Sequence, residues 1–102
     1  MKLDYRYEND ILYLELRGEL DEHSASIARR EADRLADKYA RSRRAVFDLK
    51  GVTFMDSTGI GFLIGRYKRF RRYGIPSCVI NPSESTDKIL TMSGVYTLIP
   101  RM

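Results

Sequence analysis

The stretch Phe54-Met55-Asp56-Ser57-Thr58-Gly59-Ile60-Gly61-Phe62 marks the point at which the pattern of the chain changes from strand to helix. Upstream, Ala45-Val46-Phe47-Asp48-Leu49 is a short, mostly apolar run of strand type, and Gly51 marks a turn before Val52. Downstream, Ile60, Leu63, Ile64, Tyr67 and Phe70 recur at steps of three or four, which places them on one face of a helix. That helix is expected to run to Tyr73, with Gly74 as its stop and Pro76 just beyond. Asp56 and Ser57 therefore stand at its N-terminus, where short polar side chains accept hydrogen bonds from backbone N–H groups that lack partners inside the helix. Two readings of this Asp-Ser-Thr follow: a helix cap alone, or a cap that also exposes a serine to a partner.

Working outward, Leu3-Asp4-Tyr5-Arg6-Tyr7 alternates apolar with polar, as a strand with one wet face does. Glu8-Asn9-Asp10 is turn chemistry, and Ile11-Leu12-Tyr13-Leu14-Glu15-Leu16 follows as a more buried strand, so the two form an antiparallel hairpin. Gly18-Glu19-Leu20-Asp21 leaves that strand as a surface loop carrying two carboxylates. Ser24 caps a helix with Ala28, Ala32, Leu35, Ala36 and Tyr39 on one face, ending near Ala40. After the central helix comes a strand from Ser77 to Ile80. Ser83 or Ser85 then caps a short helix through Met92, with Ile89 and Leu90 inward and Gly94 as its stop. Val95 to Ile99 reads as a last short strand. Strands separated by helices of ten or more residues pair in parallel through crossovers. The expected fold is α/β: one domain over residues 1–102, with a mixed sheet made of an N-terminal antiparallel hairpin plus parallel strands, and helices packed on it.

Composition restricts the function classes. A chain that is 43% hydrophobic and 31% charged has enough apolar surface for one core, which argues against disorder. No apolar run approaches the roughly 20 residues of a membrane span, and the N-terminus lacks the apolar core of a signal peptide. The single cysteine, Cys78, has no partner for an internal disulfide and lies in an apolar run, which suits a buried thiol in a cytoplasmic protein. The net charge of +4 raises nucleic acid as a partner. Its basic residues, however, fall mainly in three groups: Arg29, Arg30 and Arg34 on one expected helix, Arg41, Arg43 and Arg44 between elements, and Arg66, Lys68, Arg69, Arg71 and Arg72 on another expected helix. The first and third groups lie on helices whose other faces are apolar. They read as solvated faces, and no nucleic-acid-binding motif is present, so no direct DNA binding is expected.

Catalytic chemistry fares no better. Glu19 and Asp21 are two acids on a loop, without the further ligands that a metal requires, and His23 is the only histidine. Met55 stands where G-x-S-x-G requires glycine, and Gly59, Gly61 and Gly65 match neither the dinucleotide nor the P-loop spacing. Gly61 reads as a docking surface and Gly65 as a close-packing position. No catalytic residue, metal or cofactor is assigned.

The segment from Phe54 to Lys68, F-M-D-S-T-G-I-G-F-L-I-G-R-Y-K, resembles the phosphorylation-site segment of the anti-sigma factor antagonists of the STAS domain family. Gly18-Glu19-Leu20-Asp21 with His23-Ser24, and Met92-Ser93-Gly94-Val95, support the likeness in the same order along the chain, nearest to the sporulation branch. The motif is common to sporulation and general-stress antagonists. The resemblance implies phosphorylation of Ser57 by an anti-sigma factor that is itself a serine kinase. It also implies that the unphosphorylated form binds that kinase and frees the sigma factor, and that a PP2C-type phosphatase restores it. Partner contact is expected at Glu19, Asp21, Asp56, Ser57, Thr58, Gly59 and Gly61. The alternative is a STAS interaction module in another signalling or transport assembly. Family members usually continue into a further C-terminal helix, whereas this sequence stops at Arg101-Met102; if trimmed, it would expose the surface which that helix covers.

Overall fold

The hairpin forms as expected, closed more tightly than the sequence suggests. In the computed structural model, which describes residues 1–102, β1 (Lys2–Glu8) pairs antiparallel with β2 (Ile11–Leu20) through Asn9 and Asp10 alone. Both turn residues have positive φ, 54° and 62°, a conformation that Asn and Asp tolerate and that matches the twist of the flanking strands. The chain then crosses over through α1 (Glu22–Lys38) to β3 (Arg44–Met55), and through α2 (Ser57–Arg72) to β4 (Ser77–Ile80). β3 lies parallel to both β2 and β4, giving a four-stranded mixed sheet in the order β1-β2-β3-β4. The α3 helix (Glu84–Ser93) follows, capped by Ser83 and stopped by a left-handed Gly94.

One face of the sheet carries the core. Leu12, Leu14 and Leu16 of β2, Ala45, Phe47 and Leu49 of β3, and Val79 of β4 pack with Ala32 and Leu35 of α1, Phe62, Leu63 and Phe70 of α2, and Leu90 of α3. Each Leu or Phe fully buried there contributes about 1.5–3 kcal/mol relative to exposure. Phe47 and Phe70 meet edge to face with centroids 6.0 Å apart, a favoured geometry for aromatic pairs. The face of α2 is rotated from the expected one: Ile60, Ile64 and Tyr67 are only partly buried, while Gly59, Phe62 and Arg66 turn inward.

The largest departure is in β3, which continues through Gly51 to Met55. Asp48 pairs with Glu15 but Gly51 with Arg17, and Val52 pairs with Gly18 but Phe54 with Glu19. At each break β3 carries one residue more than β2, the signature of a β-bulge. The inward residues of β3 accordingly run Ala45, Phe47, Leu49, then Val52 and Met55, two steps of two followed by two of three. Period-two reading of the sequence fails at the first bulge, which is why Gly51 looks like a turn. Gly51 is needed there because a Cβ would lie 2.6 Å from Arg17 Cγ.

The expected last strand is also corrected. Val95–Thr97 is one turn of 3-10 helix, with Val95 and Ile99 buried four residues apart, a helical rather than an alternating spacing. The chain reaches the sheet only afterwards: Val79 N–H donates to Pro100 O, and Met102 N–H donates to Val79 O, both at 2.9 Å.

Candidate functional site

Leu20 and Met55 are partners at the ends of β2 and β3, and both are buried. The next residue in each strand, Asp21 or Asp56, is the N-cap of a helix, so α1 and α2 start side by side at one end of the sheet. Gly18 (φ 84°) and Glu19 belong to β2 rather than to a loop, which corrects the sequence reading; the bulge opposite them extends pairing to Leu20. Asp21, not Ser24, caps α1. Its Oδ1 accepts from Ser24 N–H at 3.4 Å and from Ser24 Oγ at 3.3 Å, so the serine lies inside the first turn. Asp56 has extended backbone (φ −122°, ψ −164°) and accepts from Thr58 N–H at 2.8 Å.

With Asp56 as cap, Ser57 is the first residue of α2 and is exposed. Beyond it on the same side of the helix come Gly61 and Gly65, where a Cβ would meet no heavy atom within 4 Å. Gly65 therefore borders open space and does not serve close packing. Gly59 faces the other way: it is buried, and a Cβ there would lie 2.6 Å from Met55 Cγ and 3.0 Å from Leu20 Cβ. It lets α2 approach the paired strand ends. Phe54, beside Glu19 in the register, is 50% exposed because the second bulge turns it out of the core. The structure thus gathers Glu19, Asp21, Asp56, Ser57, Thr58 and Gly61 at one end and directs Gly59 inward. The STAS domain family matches residues 2–102.

The chain belongs to the STAS domain family. It is 34% identical over 92 residues to the anti-sigma-B factor antagonist of Bacillus subtilis, covering 90% of this chain and 81% of the relative. It is 29% identical over 100 residues to the anti-sigma F factor antagonist of Paenibacillus polymyxa, covering 98% and 85%. The solved structure of the anti-sigma factor antagonist SpoIIAA in its unphosphorylated form superposes with a TM-score of 0.78 at 20% identity, covering 99% of this chain and 88% of that one. The SulP transporter STAS domain from Vibrio cholerae gives 0.71 at 23% identity, covering 87% and 66%. At these identities the structural likenesses establish the fold.

Away from the helix starts, ion pairs join α1 to α2 in this STAS domain. Arg66 is 9% exposed, so it is no part of a solvated basic face; its Nε lies 2.8 Å from Asp33 Oδ1, outside hydrogen-bonding alignment. Burial pushes its guanidinium pKa down, Asp33 opposes that, and Arg29 and Arg69 add to it. A turn later, Arg69 makes a bidentate pair with Asp37 at 3.0 and 2.8 Å, and Tyr73 Oη donates to Asp37 at 2.6 Å. Those hydrogen bonds lower the Asp37 pKa to about 2. Asp33 and Arg66 gave no sequence signal for pairing, since only the helix–helix packing brings them together. Cys78 is buried, and desolvation raises its pKa, so the thiol is held protonated. No helix is long and apolar enough to cross a membrane.

Proposed function

We propose that this STAS domain is an anti-sigma factor antagonist whose unphosphorylated form binds an anti-sigma factor serine kinase through the shared start of α1 and α2. Phosphorylation of Ser57 ends the interaction, and a PP2C-type phosphatase reverses it. The observation that carries this assignment is an exposed serine at the first position of α2, beside an unobstructed glycine strip, in a chain up to 34% identical to anti-sigma factor antagonists.

The electrostatics support a switch. A phosphate brings about −1.5 to −2 charges at pH 7. In the free protein the N-terminus of α2 favours that charge by roughly 0.3–1 kcal/mol, so the phosphorylated domain stays folded. Against a partner the balance reverses, because the phosphate is desolvated next to Glu19, Asp21 and Asp56 and like charges repel. A net penalty of about 4 kcal/mol weakens binding roughly a thousandfold. The decisive experiment incubates the protein with ATP and a candidate anti-sigma kinase and maps phosphate by intact-mass and peptide spectrometry beside Ser57→Ala. One phosphate at Ser57, absent from the variant, is expected; a complex without phosphate overturns the switch, and neither complex nor phosphate overturns the choice of partner.

The fold likeness to a transporter STAS domain favours a second reading, an interaction module of another signalling or transport assembly. Co-purification separates the two: a sigma-regulating kinase supports the first, a transport or stress-signalling assembly the second.

A further inference from the structure

The two edges of the sheet are unlike. The outer side of β4 is occupied by the chain's own residues at Pro100 and Met102, whereas β1 offers an uncovered edge. Natural edges are usually blunted by charged side chains, a bulge, a proline or short length. β1 carries charges but none of the other three: it pairs with β2 over seven residues without a register break.

The sequence of β1 is Lys2-Leu3-Asp4-Tyr5-Arg6-Tyr7-Glu8. Its charges alternate +, −, +, − on one face, and the order is antisymmetric about Tyr5. Laid antiparallel against a second β1 with Tyr5 opposite Tyr5, Lys2 faces Glu8, Asp4 faces Arg6 and Leu3 faces Tyr7, and every pair occurs twice. Charged residues that only deter pairing have no reason to be complementary under that rotation, and like charges would deter it better. The other face of the strand adds apolar surface at the same edge. Tyr5 and Tyr7 are exposed, although Tyr7 stacks on Tyr39, just past the end of α1, at 4.4 Å, and Ile27 of α1, near Leu3, is 69% exposed.

We infer that β1 is a homodimerisation edge, joining two copies of this chain into one continuous eight-stranded sheet. The two-fold axis is perpendicular to the sheet, so the contact is isologous and closes at two copies. Both helix layers lie on the same side, and the ends bearing Ser57 point in opposite directions, leaving each free for a partner. In the single chain Arg6 is paired with Glu8, and Arg17 with Asp4. These pairs are exposed, and exposed pairs hold their partners weakly, so they can exchange for contacts across the axis.

Charge exchange tests the register. Asp4→Arg places two arginines opposite each other at both symmetric positions, and Arg6→Asp does the same with two aspartates. Mixed together, the two variants restore opposite charges at both symmetric contacts between positions 4 and 6. Sedimentation equilibrium of the full chain should show a concentration-dependent dimer. Each variant alone should weaken dimerisation by about tenfold or more, and their equimolar mixture should recover a heterodimer. Circular dichroism checks that both variants fold; Lys2→Glu, which sets like charges against Glu8, supplies an independent disruption if one does not. A wild-type chain that stays monomeric to about 1 mM overturns the proposal and leaves the edge to a foreign strand. A dimer indifferent to the variants, or a mixture that stays monomeric, overturns it equally.

Discussion

α1 and α2 begin in nearly the same way and end up with different surfaces. Each follows one residue after a buried, paired strand end, and each is capped by an aspartate. In α1 the nearest serine, Ser24, is drawn back onto Asp21 and partly buried; in α2, Ser57 stands one position after the cap and is exposed. The difference lies in spacing from the cap: a side chain three residues on folds back over the cap, whereas one residue on it points away. It teaches that a hydroxyl near a helix start becomes reachable through its position in the first turn, not through its residue type.

The comparison is broken most severely at the hydroxyl. Ser57→Asp is expected to lower affinity for the anti-sigma partner roughly a thousandfold, whereas Ser24→Ala should change it less than about twofold, measured by calorimetric titration. Retained affinity in Ser57→Asp would remove the distinction between the two starts.

The glycines come next. Gly59→Ala drives a Cβ against Met55 and Leu20 and should destabilise the domain by about 1–3 kcal/mol in urea unfolding. Gly61→Ala, two residues away but facing open space, should gain up to about 1 kcal/mol from helix propensity while weakening partner binding. The opposite signs separate a glycine needed for packing from one left for docking.

Of the two caps, Asp56 has the shorter bond to a backbone N–H, 2.8 Å against 3.4 Å for Asp21. Asp56→Ala should cost about 1–2 kcal/mol and Asp21→Ala about 0.5–1 kcal/mol by the same unfolding measurement. Equal losses would mean that the two caps are energetically alike.

The smallest effect is expected at the far end of the same helices. Asp37 has a folded pKa of about 2, below its ordinary 3.8, so its pairing stabilises the domain above pH 4 and is lost as pH falls from about 4 to about 2. Asp37→Asn should flatten that part of the stability–pH curve slightly, because the pair is exposed. An unchanged curve would show that Arg69 and Tyr73 contribute nothing measurable there.

What the sequence determined by itself is local. The hairpin, the crossover helices, the Gly74 and Gly94 stops and the position of Ser57 after an aspartate all follow from periodicity and capping chemistry, which act over a few residues. The motif from Phe54 to Lys68 carried the family. Tertiary structure alone decided the rest. The two bulges in β3 exist because it must match a strand two residues shorter, and they turn Phe54 outward and Met55 inward. Asp21 rather than Ser24 became the cap because β2 continues to Leu20. Arg66 became a buried ion-pair member because α1 packs on α2, and Gly59 a contact point because two strand ends lie beneath it. These outcomes depend on residues far apart in the chain, and no pattern within a single element encodes them.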